Sequence, residues 1–200
     1  MNMKAVKTES PAQEQAMPNP GHIMHTATAF WESKVLLTAV EFDLFTVLGD
    51  QALTADQIGE QLGITPRGRY DFLDALVAGG FLYRNGDGAE GRYQNTPDTG
   101  AFLNKNSPAY IGGMPEMLNA RLFGFWNDLG DALRTGQPQN EIKHSGKPLF
   151  EDIYADSQRL GEFLEAMTGF QAGNFMMLAE KFDFSGYKTV SDIGGALGLL

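Results

Sequence analysis

The residues best suited to chemistry gather near one end of the chain. A strand through Val190 and Ser191 runs into Asp192-Ile193-Gly194-Gly195-Ala196-Leu197-Gly198, a glycine turn with an acidic residue at its mouth. Glycine lacks a Cβ and tolerates left-handed dihedrals, so such a turn lets backbone approach a nucleotide-like cofactor. Gly194, Gly195 and Gly198 do not follow the G-x-G-x-x-G dinucleotide spacing, and taken alone the turn also fits a tight strand-to-helix connection. The histidines offer less. His22 and His25 have a spacing that metal ligands use, but no third ligand is near in sequence, and the pair reads as solvated or capping. His144 lies in a polar loop with Lys143 and Lys147 and has no partner that would make it a base. No catalytic residue and no metal ligand is therefore assigned. From Met114 to Phe182 the aromatic and methionine content could line a pocket for a flat, mostly apolar ligand, or could be ordinary helix core.

The elements that must position these residues are mostly helical. Met1 to Pro20 is polar and proline-containing and reads as a mobile leader. From about Ala27 to Leu48 a helical pattern carries Phe30, Trp31, Val35, Leu36, Val40, Leu44 and Phe45 on several faces, which suggests burial against a partner chain as well as its own. Thr54 and Gln57 have capping-box spacing, and Gly63 suits a helix end. Thr65-Pro66 restarts the chain as N-cap and first helical residue, and Phe72, Leu73, Leu76 and Val77 share a face up to Gly79-Gly80. Phe81 to Arg84 and Arg92 to Asn95 flank Asn85-Gly86-Asp87-Gly88 as two short strands and a wing. Leu53 to about Thr96 is thus a winged helix. Beyond Pro108, Ile111 to Leu133 is helical up to Gly136, Gln137 to Lys147 is a polar loop, a short helix covers Phe150 to Tyr154, and a longer one runs from about Ser157 to Phe182, weakened by Gly169 and Gly173.

Composition narrows the class. Two hundred residues with 42% hydrophobic and 11% aromatic content are ample for a packed core. No apolar run spans a bilayer and no hydrophobic signal opens the chain, so a cytoplasmic protein without a membrane partner is expected. The absence of cysteine excludes disulfides and thiolate chemistry. A net charge of -10, with Asp71, Asp74, Asp87 and Glu90 interleaved among Arg67, Arg69, Arg84 and Arg92, argues against nucleic acid.

Taken in order, these pieces resemble the small-molecule O-methyltransferases that place a winged-helix dimerisation domain before a Rossmann-like methyltransferase domain, such as the plant caffeate and bacterial phenazine or polyketide enzymes. The marks are Leu53 to Gly59, Phe72 to Val77, Gly80-Phe81-Leu82, Tyr93 to Thr96, Trp126 to Leu129, Ala132 to Gly136, Phe163 to Met167 and Val190 to Gly195. The resemblance implies that Asp192, Gly194, Gly195 and Gly198 hold S-adenosylmethionine, with Ala196-Leu197 departing from the family's usual glycine and small or polar residue. It implies that Phe163 and Met167 face the methyl-acceptor pocket and that Trp126 lies on a helix closing it.

The expected architecture is mainly α: a winged helix-turn-helix dimerisation domain, then long helices, then the first strand of an incomplete Rossmann-like α/β domain. The divisions fall at 1–20 (leader), 21–106 (dimerisation), 107–186 (helical linker and substrate lid) and 187–200 (first strand and glycine turn). The family's ribose-binding carboxylate and proton-removing histidine follow this last motif, so the chain is expected to be a truncated, inactive portion of a homodimeric enzyme acting on a small aromatic or polyketide-like hydroxyl. A noncatalytic dimerisation module and a winged-helix regulator are the alternatives.

Overall fold

The computed structural model describes residues 17–195, 197 and 198, with the side chains of His144 and Ser145 left out. Most of the leader, Ala196 and the His144 side chain therefore lie outside the described residues.

Helix α1 (Gly21–Glu41) ends where Asp43 adopts a left-handed conformation with φ 57°, and α2 (Leu44–Leu48) starts directly after it. The single helix expected up to Leu48 is thus two. A short polar side chain tolerates the left-handed region better than its apolar neighbours, which makes Asp43 the natural breaking point. The break matters for packing. Val40, Leu44, Phe45 and Leu48 turn inward and are almost fully buried with Ala55, Ile58, Leu73, Leu76, Leu82 and Tyr93. The apolar faces read as a partner surface are therefore, in this second half, the domain's own core. Ile23, Met24, Phe30 and Trp31 in the first half remain exposed.

Strand β1 (Leu53–Thr54) leads into α3 (Ala55–Leu62), whose start is fixed by the expected capping box: Gln57 N–H donates to Thr54 Oγ1, and Thr54 N–H donates to Gln57 Oε1. Gly63 closes this helix at φ 67°. Helix α4 (Pro66–Ala78) begins with proline at its first position, although Thr65 makes no side-chain cap. Strands β2 (Leu82–Asn85) and β3 (Arg92–Asn95) form the wing. β1 adds to it in the order β1-β3-β2, all antiparallel, with Leu53 opposite Tyr93 and Arg84 opposite Tyr93 on the other side. Thr96 caps a further helix, α5 (Pro97–Phe102).

The second half is a set of helices laid against this domain. Helix α6 (Gly113–Met117) passes into a π turn (Leu118–Leu122), then α7 (Phe123–Phe125), a 3-10 turn (Trp126–Asp128) and α8 (Leu129–Thr135), which Gly136 ends. The loop expected over 137–147 contains a short helix, α9 (Glu141–Ser145), capped by Asn140. Helices α10 (Leu149–Tyr154) and α11 (Ser157–Lys181) follow, the latter capped by Asp156, which accepts from the backbone of Gln158 and Arg159. α11 is continuous through Gly169 because that glycine has a packing role: a Cβ there would lie 3.4 Å from the Ile111 backbone. The segment expected as the final strand, around Val190, forms no ladder among the described residues. A strand is defined by pairing, and no described segment runs beside it. No helix among the described residues is long and apolar enough to cross a membrane.

Candidate functional site

A cleft of about 440 Å³ opens where α1, α6 with its π turn, and α11 meet. Small residues create the junction. Ala166 of α11 is fully buried, and a Cβ on Gly113 would sit 3.3 Å from the Ala166 backbone, so α6 and α11 touch almost main chain to main chain. That close crossing sets Phe163, one turn earlier on α11, into the cleft wall beside Met117. Phe163 is held edge-on by Phe150 of α10, with ring centres 6.4 Å apart.

The polar lining is organised by the π turn. A residue inserted into the helical ladder shifts the following side chains around the axis. Here Asn119 bridges two residues of α1: Lys34 Nζ donates to Asn119 Oδ1, and Asn119 Nδ2 donates to Glu41 Oε2. Lys34 also lies over the face of Phe123, 5.2 Å from its ring centre. Arg121 is bonded to the buried Glu141, and Arg159 to Asp152 at 2.7 Å. Glu116 is met by Lys105 at 3.0 Å and by the Tyr110 hydroxyl at 2.9 Å. Burial, then the bond to Glu116, pushes the Tyr110 phenol well above its ordinary value. Burial alone would lower Lys105, but its bonds to Asp43 and Glu116 carry it above the ordinary lysine value.

The residues singled out in the sequence do not all converge. Phe163 lines the cleft, and Met167 is half-buried one turn further along the same helix. Trp126 is 67% exposed and lines a separate depression of about 300 Å³ with Phe125, Leu129 and Pro138. The glycine turn lines neither. Gly194 and Gly198 have φ of 81° and 69°, with open space where a Cβ would stand. Gly195 differs: a Cβ there would fall 1.8 Å from Asp192 Oδ2, so the Asp192 carboxylate is folded onto the turn at that position. Among the described residues no group of His, Cys, Asp and Glu could hold a metal ion. Lys34, Asn119, Arg121 and Arg159 were not legible as site residues, because their convergence depends on how α1, the π turn and α11 cross.

A winged-helix domain carrying an apolar helix, then a helix-walled cleft, then a glycine turn with an adjacent carboxylate, defines a class. Residues 24–105 match the O-methyltransferase dimerisation domain and residues 126–200 match the O-methyltransferase domain, and the chain belongs to this family. It is 40% identical over 181 residues to the tetracenomycin polyketide synthesis 8-O-methyl transferase TcmO of Streptomyces glaucescens, a match covering 90% of this chain and 51% of that protein. It is 33% identical to the N,N-dimethyltransferase OxyT of Streptomyces rimosus, over 89% of this chain and 51% of the relative. The fold also resembles human N-acetylserotonin methyltransferase in complex with SAM, with a TM-score of 0.81 at 24% identity over 96% of this chain and 56% of that one. The chain spans about half the length of the curated relatives it matches.

The family's cofactor is S-adenosylmethionine. Gly194 and Gly198 are left-handed with open space where a Cβ would stand, which would leave room for one edge of such a group against backbone, and Asp192 lies against Gly195 of the same turn.

Proposed function

We propose that this chain is the dimerisation and acceptor-lid portion of an S-adenosylmethionine-dependent methyltransferase that acts on a small aromatic or polyketide-like hydroxyl, as a cytoplasmic homodimer. The observation that carries this reading is Phe163, which the family resemblance sets against the acceptor and which lines the α1–α6–α11 cleft. At about 440 Å³ that cleft has the size of a small-molecule site. Division near residue 106 leaves the winged helix and α1 on one side and α6, the π turn and α11 on the other, so both parts contribute to the cleft.

The residues divide the work. Asp192, Gly194, Gly195 and Gly198 would hold one edge of the cofactor, which when bound supplies an electrophilic methyl group. Phe163, Met167 and Met117 would orient the acceptor ring, and Trp126 would close the lid. Proximity and exclusion of water supply much of the rate in such transfers. Exposed Ile23, Met24, Phe30 and Trp31 support a partner chain on the first half of α1. A regulatory role on DNA is disfavoured because Arg69, Arg84 and Arg92 are committed to Asp56, Asp74 and the Ala52 carbonyl. OxyT, an N,N-dimethyltransferase, supports pocket chemistry rather than scaffold as what sets the acceptor atom, so the test includes an amine.

Calorimetry with S-adenosylmethionine, beside radiolabelled methyl transfer to a panel of phenols and aromatic amines, tests the proposal. The 200-residue chain is expected to bind cofactor weakly and not to turn over. A chain extended to the length of its relatives should bind the cofactor tightly and turn over. Turnover by the short chain, or none by the extended one, overturns the reading.

A further inference from the structure

The charges around the cleft are unevenly committed. Arg121 and Arg159 point at carboxylates of Glu141 and Asp152, which stand behind the wall and do not line it. Glu116 is met by Lys105 and Tyr110. Lys34 is different: among the described residues its partners are the neutral amide oxygen of Asn119 and the face of Phe123, and none of their carboxylates is in ion-pair range of it. An ammonium has three donors, and one bond to an amide leaves others to be directed into the cleft. Glu41, Glu162 and Glu165 also line the space, but all three are solvent-exposed, Glu41 on α1 and the other two on α11.

Lys34 is also held in place. The amide of Asn119 cannot rotate freely, because its nitrogen is bound to Glu41 while its oxygen accepts from Lys34. This fixes the oxygen toward Lys34, and the Phe123 ring blocks one side of the ammonium. The cation is half-buried and positioned, joined to the Glu41 carboxylate only through the Asn119 amide, and shares the cleft lining with Phe163 and Met117. An anionic oxygen carried on a flat apolar ring satisfies both features together.

We propose that Lys34 is a specificity-determining residue of this cleft, recognising an ionised oxygen, either a carboxylate or an enolate, on an aromatic acceptor whose ring packs against Phe163. The inference rests on the acceptor-site reading above and narrows it to anionic ring systems. The cation comes from α1 of the dimerisation domain, so that domain contributes to substrate choice as well as to assembly.

The test uses the 200-residue chain with methyl-labelled methionine, reading the Met117 signal during titration at pH about 7.5, where carboxylates and acidic enols are ionised. Three probes are compared: 2-naphthoate, 2-hydroxy-1,4-naphthoquinone and the neutral 2-naphthylmethanol. At least one of the two anions should bind about tenfold more tightly than the alcohol, the range of one charge-assisted hydrogen bond. Whichever anion gains identifies the preferred oxygen. Lys34→Met should bring all three probes to within about twofold, and Lys34→Arg should restore most of the preference. Equal binding of the three by the unmodified chain, or a preference that survives Lys34→Met, overturns the assignment while leaving an acceptor cleft in place. If no probe moves the Met117 signal, both the assignment and the acceptor reading fail. Unchanged circular dichroism melts of the Lys34 variants exclude a folding effect.

Discussion

Replacing Asp74 by alanine should destabilise the winged helix by about 2–3 kcal/mol, and the reason lies in one buried hydroxyl. Tyr93 on the central strand is fully buried, and its hydroxyl donates to Asp74 Oδ1 at 2.7 Å. Arg84 Nη1 meets both oxygens of the same carboxylate, at 2.9 and 3.0 Å, and its guanidinium lies 5.3 Å from the Tyr93 ring centre. Leaving a buried hydroxyl without an acceptor costs about 1–3 kcal/mol. The ion pair adds less, about 0–1 kcal/mol, because the side chains of Arg84 and Asp74 are 23% and 45% exposed and solvent screens them. Tyr93→Phe removes only the hydroxyl and should cost about 1 kcal/mol in the unmodified chain, but nearly nothing once Asp74 is alanine. Urea unfolding of the four proteins, followed by circular dichroism, gives the cycle. A loss below about 0.5 kcal/mol for Asp74→Ala, or an equal cost of Tyr93→Phe in both backgrounds, refutes the account.

Other expectations follow from the same packing. Leu44→Ala should cost about 2–5 kcal/mol without changing the oligomeric state, since Leu44 belongs to the domain's own core, whereas Trp31→Asp should dissociate the proposed homodimer and leave the monomer folded. Light scattering beside thermal melts separates the two, and a dimer that persists with Trp31→Asp would remove the first half of α1 from the interface. Stability should also fall at alkaline pH. Burial and bonds to Asp74 and Glu116 raise the Tyr93 and Tyr110 phenols above their ordinary 10.0, and bonds to Asp43 and Glu116 raise Lys105 above 10.5. Groups raised on folding stabilise fully below their unfolded values and lose that contribution as pH climbs through the folded ones, so melting temperatures should decline above pH about 10. Tyr110→Phe and Lys105→Met should flatten the decline; an unchanged slope in both would show that these groups do not carry it. Finally, fluorescence anisotropy at about 150 mM salt should show no micromolar specific binding of duplex DNA, and tight binding there would reverse the scaffold reading of the winged helix.

The parts legible in the sequence were those governed by neighbours in the chain. The capping box of Thr54 and Gln57, the proline start of α4, the wing strands and the long run of α11 each depend on contacts a few residues apart, where side-chain type and spacing suffice. The glycine turn was legible for the same reason, since left-handed backbone at Gly194 and Gly198 is a local preference. What the linear pattern could not supply was which apolar face meets which. Val40 and Leu44 look the same as Phe30 and Trp31 in a helical pattern; the packing of α1 against α4 buries Val40, and the left-handed break at Asp43 with the packing of α2 against α3 and β3 buries Leu44. β1 is two residues long and exists only because β3 lies beside it, while the segment at Val190 has no such neighbour among the described residues. The cleft is the clearest case. Lys34, Asn119 and Phe163 are far apart in sequence, and their meeting was decided by a π turn and by a glycine–alanine crossing close enough for two helix backbones to touch.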